Sequence, residues 1–370
     1  MTDKKIPFVG LHAHSVAGSI FDAIGYPDEH MDFCYENGGK ALALTDHGNM
    51  NGFSHQFLHW QKMKAEGKEF KPIFGVEAYF IPSIEEWQEE YDRIKEDAKL
   101  AKTLAKAGDT SGATVEDEEA SKKAVKSVIN RRRHLVLLAQ NQTGLNNLFK
   151  LISESYKEEN FYRYPRVDYR LLDKYSEGVI ASSACLGGPY AGNYWANREE
   201  GPEAVMEAMR ETSRRFVEIF GDRWHGELQW NNIPEQHELN QYIIKVCKEF
   251  DITLISTADS HYPNNEAWKD RELYKRLGWL GKGTPAWAED NTELPEGVEE
   301  IGYELYPKNG NQMWDAYKYY SKTAGVEYDD ELVMNSITET HNIAFNRVED
   351  FVPDTSVKLG KLLSRGIASA

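Results

Sequence analysis

Short apolar runs alternate along this chain with stretches whose apolar positions recur every third or fourth residue. The runs are Ile6 to Leu11, Ala41 to Leu44, Pro72 to Phe80, His134 to Ala139, Val179 to Ser183, Glu227 to Trp230 and Ile252 to Thr257. Between them lie patterns that predict helices. Pro27 opens one that carries Met31, Phe33 and Cys34 and stops at Gly38-Gly39. Another holds Phe53, Phe57, Leu58 and Trp60. A third runs from Thr143 to Tyr156 with Leu145, Leu148, Leu151 and Ile152, and a fourth from about Glu235 to Phe250. Seven strands alternating with helices predict a parallel α/β arrangement. Residues 84–132 break the rhythm. They are charge-dense, helical in pattern and interrupted at Gly108 to Gly112, which reads as a helical insertion. Arg131-Arg132-Arg133 closes it as a solvated face, with a phosphate contact as the alternative.

Polar residues gather past the carboxyl ends of several runs, where barrel enzymes place their active sites. His12 and His14 end the first run, and residues two apart on an extended segment project to one side. Thr45-Asp46-His47-Gly48 follows the second. Glu77 sits among apolar neighbours in the third, where a carboxylate is costly to bury unless paired or bound to metal. Asp22 follows a loop of small residues, Cys185 follows the fifth run, and Ala258-Asp259-Ser260-His261 follows the seventh. His134 stands at the start of its strand, where the pattern alone would not seek a ligand. Phe161 to Arg166 interleaves aromatic residues with Arg163 and Arg166, a mix that suits single-stranded nucleic acid and also occurs in exposed loops.

A length of 370 residues allows one barrel-sized domain and something smaller. The net charge of −17 argues against a broad electrostatic grip on nucleic acid. It leaves room for a nuclease whose metal ions supply positive charge locally. Cys34, Cys185 and Cys247 make no disulfide framework, and no apolar run is long enough to span a bilayer, so a cytoplasmic protein is expected.

The motifs His12-Ala13-His14, Thr45-Asp46-His47-Gly48, Pro72 to Tyr79, His134 to Ala139, Ser183 to Gly188 and Thr257 to Tyr262 occur in the order found in PHP (polymerase and histidinol phosphatase) domains. Asn141 to Leu148, Tyr164 to Asp168 and Ile233 to Gln236 narrow the likeness: residues 6 to 265 resemble the PHP domain of bacterial DNA polymerase III alpha subunits. Tyr303 to Tyr306 and the helix around Asn335 to Asn346 resemble the segment that joins it to the polymerase body. The resemblance implies a distorted seven-stranded (β/α) barrel over 1–265, with 84–132 as its insertion and 266–370 as a mostly helical extension. It implies up to three divalent ions (zinc, manganese, iron or magnesium). His12, His14, Glu77 and Asp259 would hold the first. Glu77, His134 and Cys185 would hold the second, and Asp22, His47 and His261 the third. The loop from His12 to Asp22 is one residue longer than the family's usual one. His30, His55, His59, His225, His237 and His341 are left without a metal role.

Such a site implies phosphoester hydrolysis, with His12, His14, Glu77, Asp259 and His261 as its catalytic core. Ions there stabilise attacking and leaving oxygens. In polymerase-type relatives the reaction would be a proofreading 3′–5′ exonuclease on single-stranded DNA, partnered by the rest of a replicative polymerase. Cys185 then reads as a ligand rather than a nucleophile. No Asp-x-Asp pair of a polymerase palm occurs in the chain, so polymerisation by it alone is not expected. Two other functions fit the same residues: a polymerase-associated scaffold with structural metals, and a small-molecule phosphatase. The nature of the groove outside the ligands would separate nuclease from phosphatase.

Overall fold

The computed structural model describes residues 5–20, 22–106, 115–279 and 304–354. The break at Gly108 to Gly112, Tyr303 and the stretch from Leu359 onward lie outside them. The strands are β1 (Ala41–Leu44), β2 (Lys71–Phe80), β3 (Arg133–Ala139), β4 (Phe161–Tyr162), β5 (Tyr164–Val167), β6 (Val179–Ser182), β7 (Trp224–Gln229) and β8 (Thr253–Thr257). Before β3 come helices α1 (Pro27–Glu36), α2 (Phe53–Ala65), α3 (Ile84–Lys106) and α4 (Val115–Asn130). Between β3 and β8 lie α5 (Gln142–Ser155), α6 (Tyr169–Tyr175), α7 (Pro189–Asn197), α8 (Pro202–Phe220) and α9 (Pro234–Phe250). The described helices end with α10 (Trp268–Trp279), α11 (Gly310–Ala324) and α12 (Asp330–Asn342). Proline in the first turn of α1, α7, α8 and α9 fits positions whose N–H has no helical partner.

Six of the seven expected runs form β1, β2, β3, β6, β7 and β8, which pair in a curled sheet. The run at Ile6 to Leu11 is extended but makes only isolated bridges, Gly10 with Leu42 and Ala13 with Ser260. Those bridges matter. Ala43 N–H donates to the Gly10 carbonyl (2.8 Å) and Thr45 N–H to that of Ala13 (2.7 Å), while His14 N–H donates to Ser260 (2.7 Å). The segment therefore joins β1 to the end of β8 and closes a distorted seven-stranded barrel. Between β6 and β7, where the pattern had assigned no element, α7 and α8 pack on the outside.

The arrangement is not wholly parallel. β3 runs against both neighbours, with Tyr79 opposite His134 on β2 and Val136 opposite Ser182 on β6. The reason lies in the insertion. Chain leaving β2 at Phe80 goes out along α3 and returns along α4, so β3 starts at the end where β2 finished. The base of the insertion is anchored, with Trp87 and Val128 buried and the Trp87 indole donating to the Val128 carbonyl at 2.8 Å.

The barrel interior holds Leu11, Ala43, Ile73, Val136, Leu138, Ile180 and Ile255. Ile343, Ala344 and Val348, from a π-helical turn after α12 and the residue beyond it, join the same cluster. Alternate strand residues such as Phe74, Val76, Leu135 and Leu137 face the helical shell with Leu148, Phe216 and Ile243.

Candidate metal centre

Strand ends deliver the ligands. His12 and His14 leave the N-terminal segment, His47 follows β1, Cys185 follows β6, and Asp259 and His261 follow β8. Glu77 lies within β2 on the face that Ile73 occupies deeper in the barrel. His134 comes from the first turn of β3, which reversal of that strand places at the mouth. The strand position that the parallel pattern could not accommodate is thereby explained.

Among the described residues three groups of ligand atoms form, each within 4.8 Å: His12, His14, Glu77 and Asp259; His47, Glu77 and His134; His14, His47 and His261. In the first, His12 Nε2 lies 2.7 Å from Glu77 Oε2 and 3.2 Å from Asp259 Oδ1, and His14 Nε2 lies 3.2 Å from Asp259 Oδ1. Glu77 Oε1 reaches His134 Nδ1 at 2.6 Å and His47 Nδ1 at 3.0 Å, so one carboxylate spans two groups. Cys185 Sγ stands 3.6 Å from His134 Nδ1. Asp22 Oδ2 meets His47 Nε2 at 2.9 Å and His261 Nε2 at 3.2 Å. All nine candidates thus meet in one continuous network. The grouping around His47 differs from the expected division, because its two nitrogens face Glu77 and Asp22 at once.

Backbone conformation turns two of them inward. Asp259 has φ of 48°, a left-handed conformation that aspartate tolerates better than most residues, and Ala184, just before Cys185, has φ of 54°. Gly48 has φ of +65° directly after His47. A Cβ there would sit 2.8 Å from the Tyr79 ring, so the turn closes tightly on β2.

Several residues that the pattern did not single out hold this network in place. Glu227, fully buried on β7, accepts from His12 Nδ1 at 2.7 Å, from Ser182 Oγ at 2.6 Å and from Thr257 Oγ1 at 2.6 Å. A carboxylate on one imidazole nitrogen keeps the proton there and leaves the other nitrogen's lone pair for a metal. Asp46 accepts from the Ser15 N–H (2.6 Å) and Ser19 Oγ (2.9 Å), and Ser19 Oγ lies 3.2 Å from His14 Nδ1. Arg271 of α10 donates to Asp22 Oδ1 at 2.9 Å and fixes that carboxylate from outside.

The residues fit divalent ions. His14 Nε2 and Asp259 Oδ1 are buried and lie 3.2 Å apart, yet neither makes a well-formed hydrogen bond, and both face the first group. Burial opposes charge on Glu77, Asp259 and Asp22, yet the surrounding imidazoles hold all three carboxyls well below their ordinary values. Burial likewise opposes a proton on His47, but Glu77 and Asp22 push it up to about 10. Buried carboxylates that demand positive charge, beside a soft sulfur and several imidazoles, make a donor set for first-row metals such as zinc or manganese.

The other histidines are engaged elsewhere. His59 pairs with Asp32 (2.9 Å), His30 lies 3.0 Å from the Ile24 carbonyl, His237 lies between Tyr328 and Asn231, and His225 is buried in β7. His55 and His341 stand against Tyr26 and Phe345.

Arg163 is exposed at the tip of the β4–β5 hairpin. Arg166 corrects the expectation of a nucleic-acid contact. It is fully buried, donates to the carbonyls of Arg131, Tyr162, Tyr164 and Ile129, and lies 4.0 Å over the Trp87 ring. Its guanidinium is occupied in tying the insertion to the hairpin. A cavity of about 980 Å³ opens at the opposite end of the barrel beside Lys40, Trp60, Lys71 and Phe351, away from the ligands.

A family model for the PHP domain matches residues 10–230. The DNA polymerase III subunit alpha of Aquifex aeolicus is 39% identical over 259 residues, 70% of this chain and 18% of that protein. Its counterpart from Borreliella burgdorferi is 33% identical over 310 residues, 84% of this chain and 22% of that protein. The chain thus spans about a fifth of the length of the curated relatives it matches. A solved Bifidobacterium adolescentis protein, proposed as a metal-dependent phosphoesterase, aligns over 80% of this chain and 95% of that one at 14% identity. Its TM-score of 0.34 is too low to carry weight.

Proposed function

This chain belongs to the PHP domain family, and we propose that within it the chain is a metal-dependent phosphoesterase acting as a 3′–5′ exonuclease on single-stranded DNA in replication. The observation that carries this reading is the network itself: nine ligand-capable side chains on one mouth, with His14 Nε2 and Asp259 Oδ1 buried inside it and making no well-formed hydrogen bond. His12, His14, Glu77 and Asp259 would hold one ion, Glu77, His134 and Cys185 a second, and Asp22, His47 and His261 a third. Bound there, divalent ions supply Lewis acidity and lower the pKa of water, the chemistry that phosphoester hydrolysis requires.

The chain's own residues set that chemistry up. Glu227 keeps the His12 proton on Nδ1, so that Nε2 faces the centre. His261 donates Nδ1–H to the Asp259 carbonyl at 2.7 Å, which leaves its Nε2 for Asp22 and a shared ion. Arg271 holds the far oxygen of Asp22. The DNA reading, rather than a small phosphate monoester, is supported by the surroundings of the mouth: Phe161, Tyr162 and Arg163 stand exposed on the neighbouring hairpin. The similarity to polymerase subunits suggests the remainder of a replicative polymerase as partner.

The test is metal content of freshly purified protein together with release of nucleotides from a 3′-labelled single-stranded oligonucleotide, with and without manganese. Bound metal and 3′ release, both lost in His12→Ala, are expected. Bound metal with DNA intact across added metals would overturn the exonuclease and favour a scaffold or a small-molecule phosphatase.

A further inference from the structure

We propose that Arg132 is a positioning residue that grips the phosphate adjoining the one under attack in a single nucleic-acid strand; this rests on the phosphoesterase reading above. Three successive arginines have three different surroundings. Arg131 forms a two-pronged pair with Glu90, at 2.6 and 2.9 Å, on the outer face of the insertion. Arg133 is half-buried against α7, so close that a Cβ on Gly192 would meet its Nε at 2.3 Å. Arg132 has no carboxylate partner among the described residues. One of its terminal N–H groups donates to the Asn130 carbonyl at 3.0 Å, and its Nε is buried with no partner at all. The Nε is closed to solvent, so an incoming ligand would meet the terminal N–H groups.

Its placement says what those terminal groups can meet. Arg132 precedes β3 by one residue and lies two residues from His134, toward the mouth. Its guanidinium is 3.9 Å over the Tyr164 ring and 5.1 Å from the Tyr79 ring. Tyr79 in turn stands 5.8 Å from the His134 ring and 6.3 Å from that of His47. The cation is therefore separated from the ligand network by one aromatic ring. That is too far out to serve the reacting phosphate and suitably placed for its neighbour in a strand. The close contact with the Tyr164 ring orients the guanidinium, and a planar fork held in place suits the paired oxygens of a phosphate. On a chain of net charge −17, an unpaired arginine beside the centre marks the place where a polyanion can approach.

The experiment measures binding of a phosphorothioate-linked, fluorescent single strand to the manganese-loaded protein by anisotropy across a salt series, for wild type, Arg132→Gln and Arg132→Lys. Hydrolysis of p-nitrophenyl phosphate is followed in parallel. Arg132→Gln is expected to weaken strand binding about 10- to 100-fold and to flatten the slope of log affinity against log salt by about 0.7 to 1. Arg132→Lys should keep the slope and regain only part of the affinity. Both variants should hydrolyse the single-phosphate substrate with kcat and KM within about twofold of wild type. Unchanged affinity and slope in Arg132→Gln, or no strand binding by the wild type, would overturn the proposal. So would a parallel collapse of ester hydrolysis and metal content, which would make Arg132 part of the frame. Arg132-dependent strand binding without hydrolysis of any phosphoester would instead sink the phosphoesterase reading and leave the contact standing.

Discussion

Glu77 and Glu227 are both fully buried carboxylates on adjacent sides of His12, but they do different work. Glu77 touches His12, His47 and His134 at once, so Glu77→Gln removes a charge shared between two ion sites. It should cost at least one ion per chain and abolish hydrolysis; full metal content in that variant would take Glu77 out of the centre. Glu227→Gln keeps every ligand and loses only the group that orients His12. Metal should still saturate, at about 10- to 100-fold higher free concentration, and an unchanged titration would show that His12 needs no such support. Glu77 was legible in the sequence because it interrupts an apolar run. Glu227 carries the same signal but stood at the edge of the run as read. The structure extends that strand back to Trp224, which moves Glu227 to mid-strand and into the barrel. His225, one inward position earlier, is depressed to about 4 by burial, with Arg347 nearby acting in the same direction and Asp222 against it. Its folded value lies below the ordinary 6.5, so the unfolded chain binds the extra proton between those values. Stability is complete above about pH 6.5 and is lost as pH falls toward 4. Relative to wild type, His225→Met should therefore shrink the loss of stability between pH 7 and pH 5 by about 2 kcal/mol in chemical denaturation. An equal loss in both proteins would refute the assignment.

At the scale of elements, short apolar runs and helical spacing located six strands and helices α1, α2, α5 and α9 but not α7 or α8, because burial on one or both faces writes itself into the sequence only where the pattern is regular. Strand direction is not written there. β3 has the same apolar run whether it lies parallel or antiparallel, and only the out-and-back course of α3 and α4 fixes its sense. The side chain of Arg166 on the β4–β5 hairpin eludes the sequence for a related reason. Arginine among aromatics looks identical whether its guanidinium meets a phosphate or backbone carbonyls, and burial alone decides. Arg166 sits where four carbonyls converge under Trp87, so Arg166→Met strands those acceptors. The expected cost is about 3 kcal/mol in denaturant unfolding, with single-strand affinity unchanged once the protein is folded. Undiminished stability together with weaker DNA binding would restore the original expectation. Arg132 carries the opposite combination, a partly exposed cation with an unpartnered donor, and neither property shows in a run of three arginines.

Across the whole molecule, the family resemblance implies a boundary near residue 265. Packing argues for a larger unit. Val9 N–H donates to Thr340 Oγ1 at 3.0 Å and Ser256 Oγ lies 2.7 Å from Ser336 Oγ, so α12 is bonded to both the first and the last rungs of the barrel. Ile343, Ala344 and Val348 complete the interior cluster beneath Val9, Leu11, Ile73 and Ile255, and Val333 and Ile337 are fully buried on the outer side. Each large aliphatic side chain returned to water, or left facing it, costs roughly 1.5–3 kcal/mol. Losing four of them costs about 6–12 kcal/mol, which is comparable to the whole ~5–15 kcal/mol that separates a folded domain from its unfolded state. We propose that the barrel and the segment 304–348 fold as one cooperative unit. A fragment of residues 1–265 should be insoluble or melt without a cooperative transition, whereas a chain ending at 354 should melt once and bind the full complement of metal. A 1–265 fragment with a sharp transition and undiminished metal content would place the boundary where the resemblance implies it. The helices after β8 would then be cladding on a barrel that closes without them.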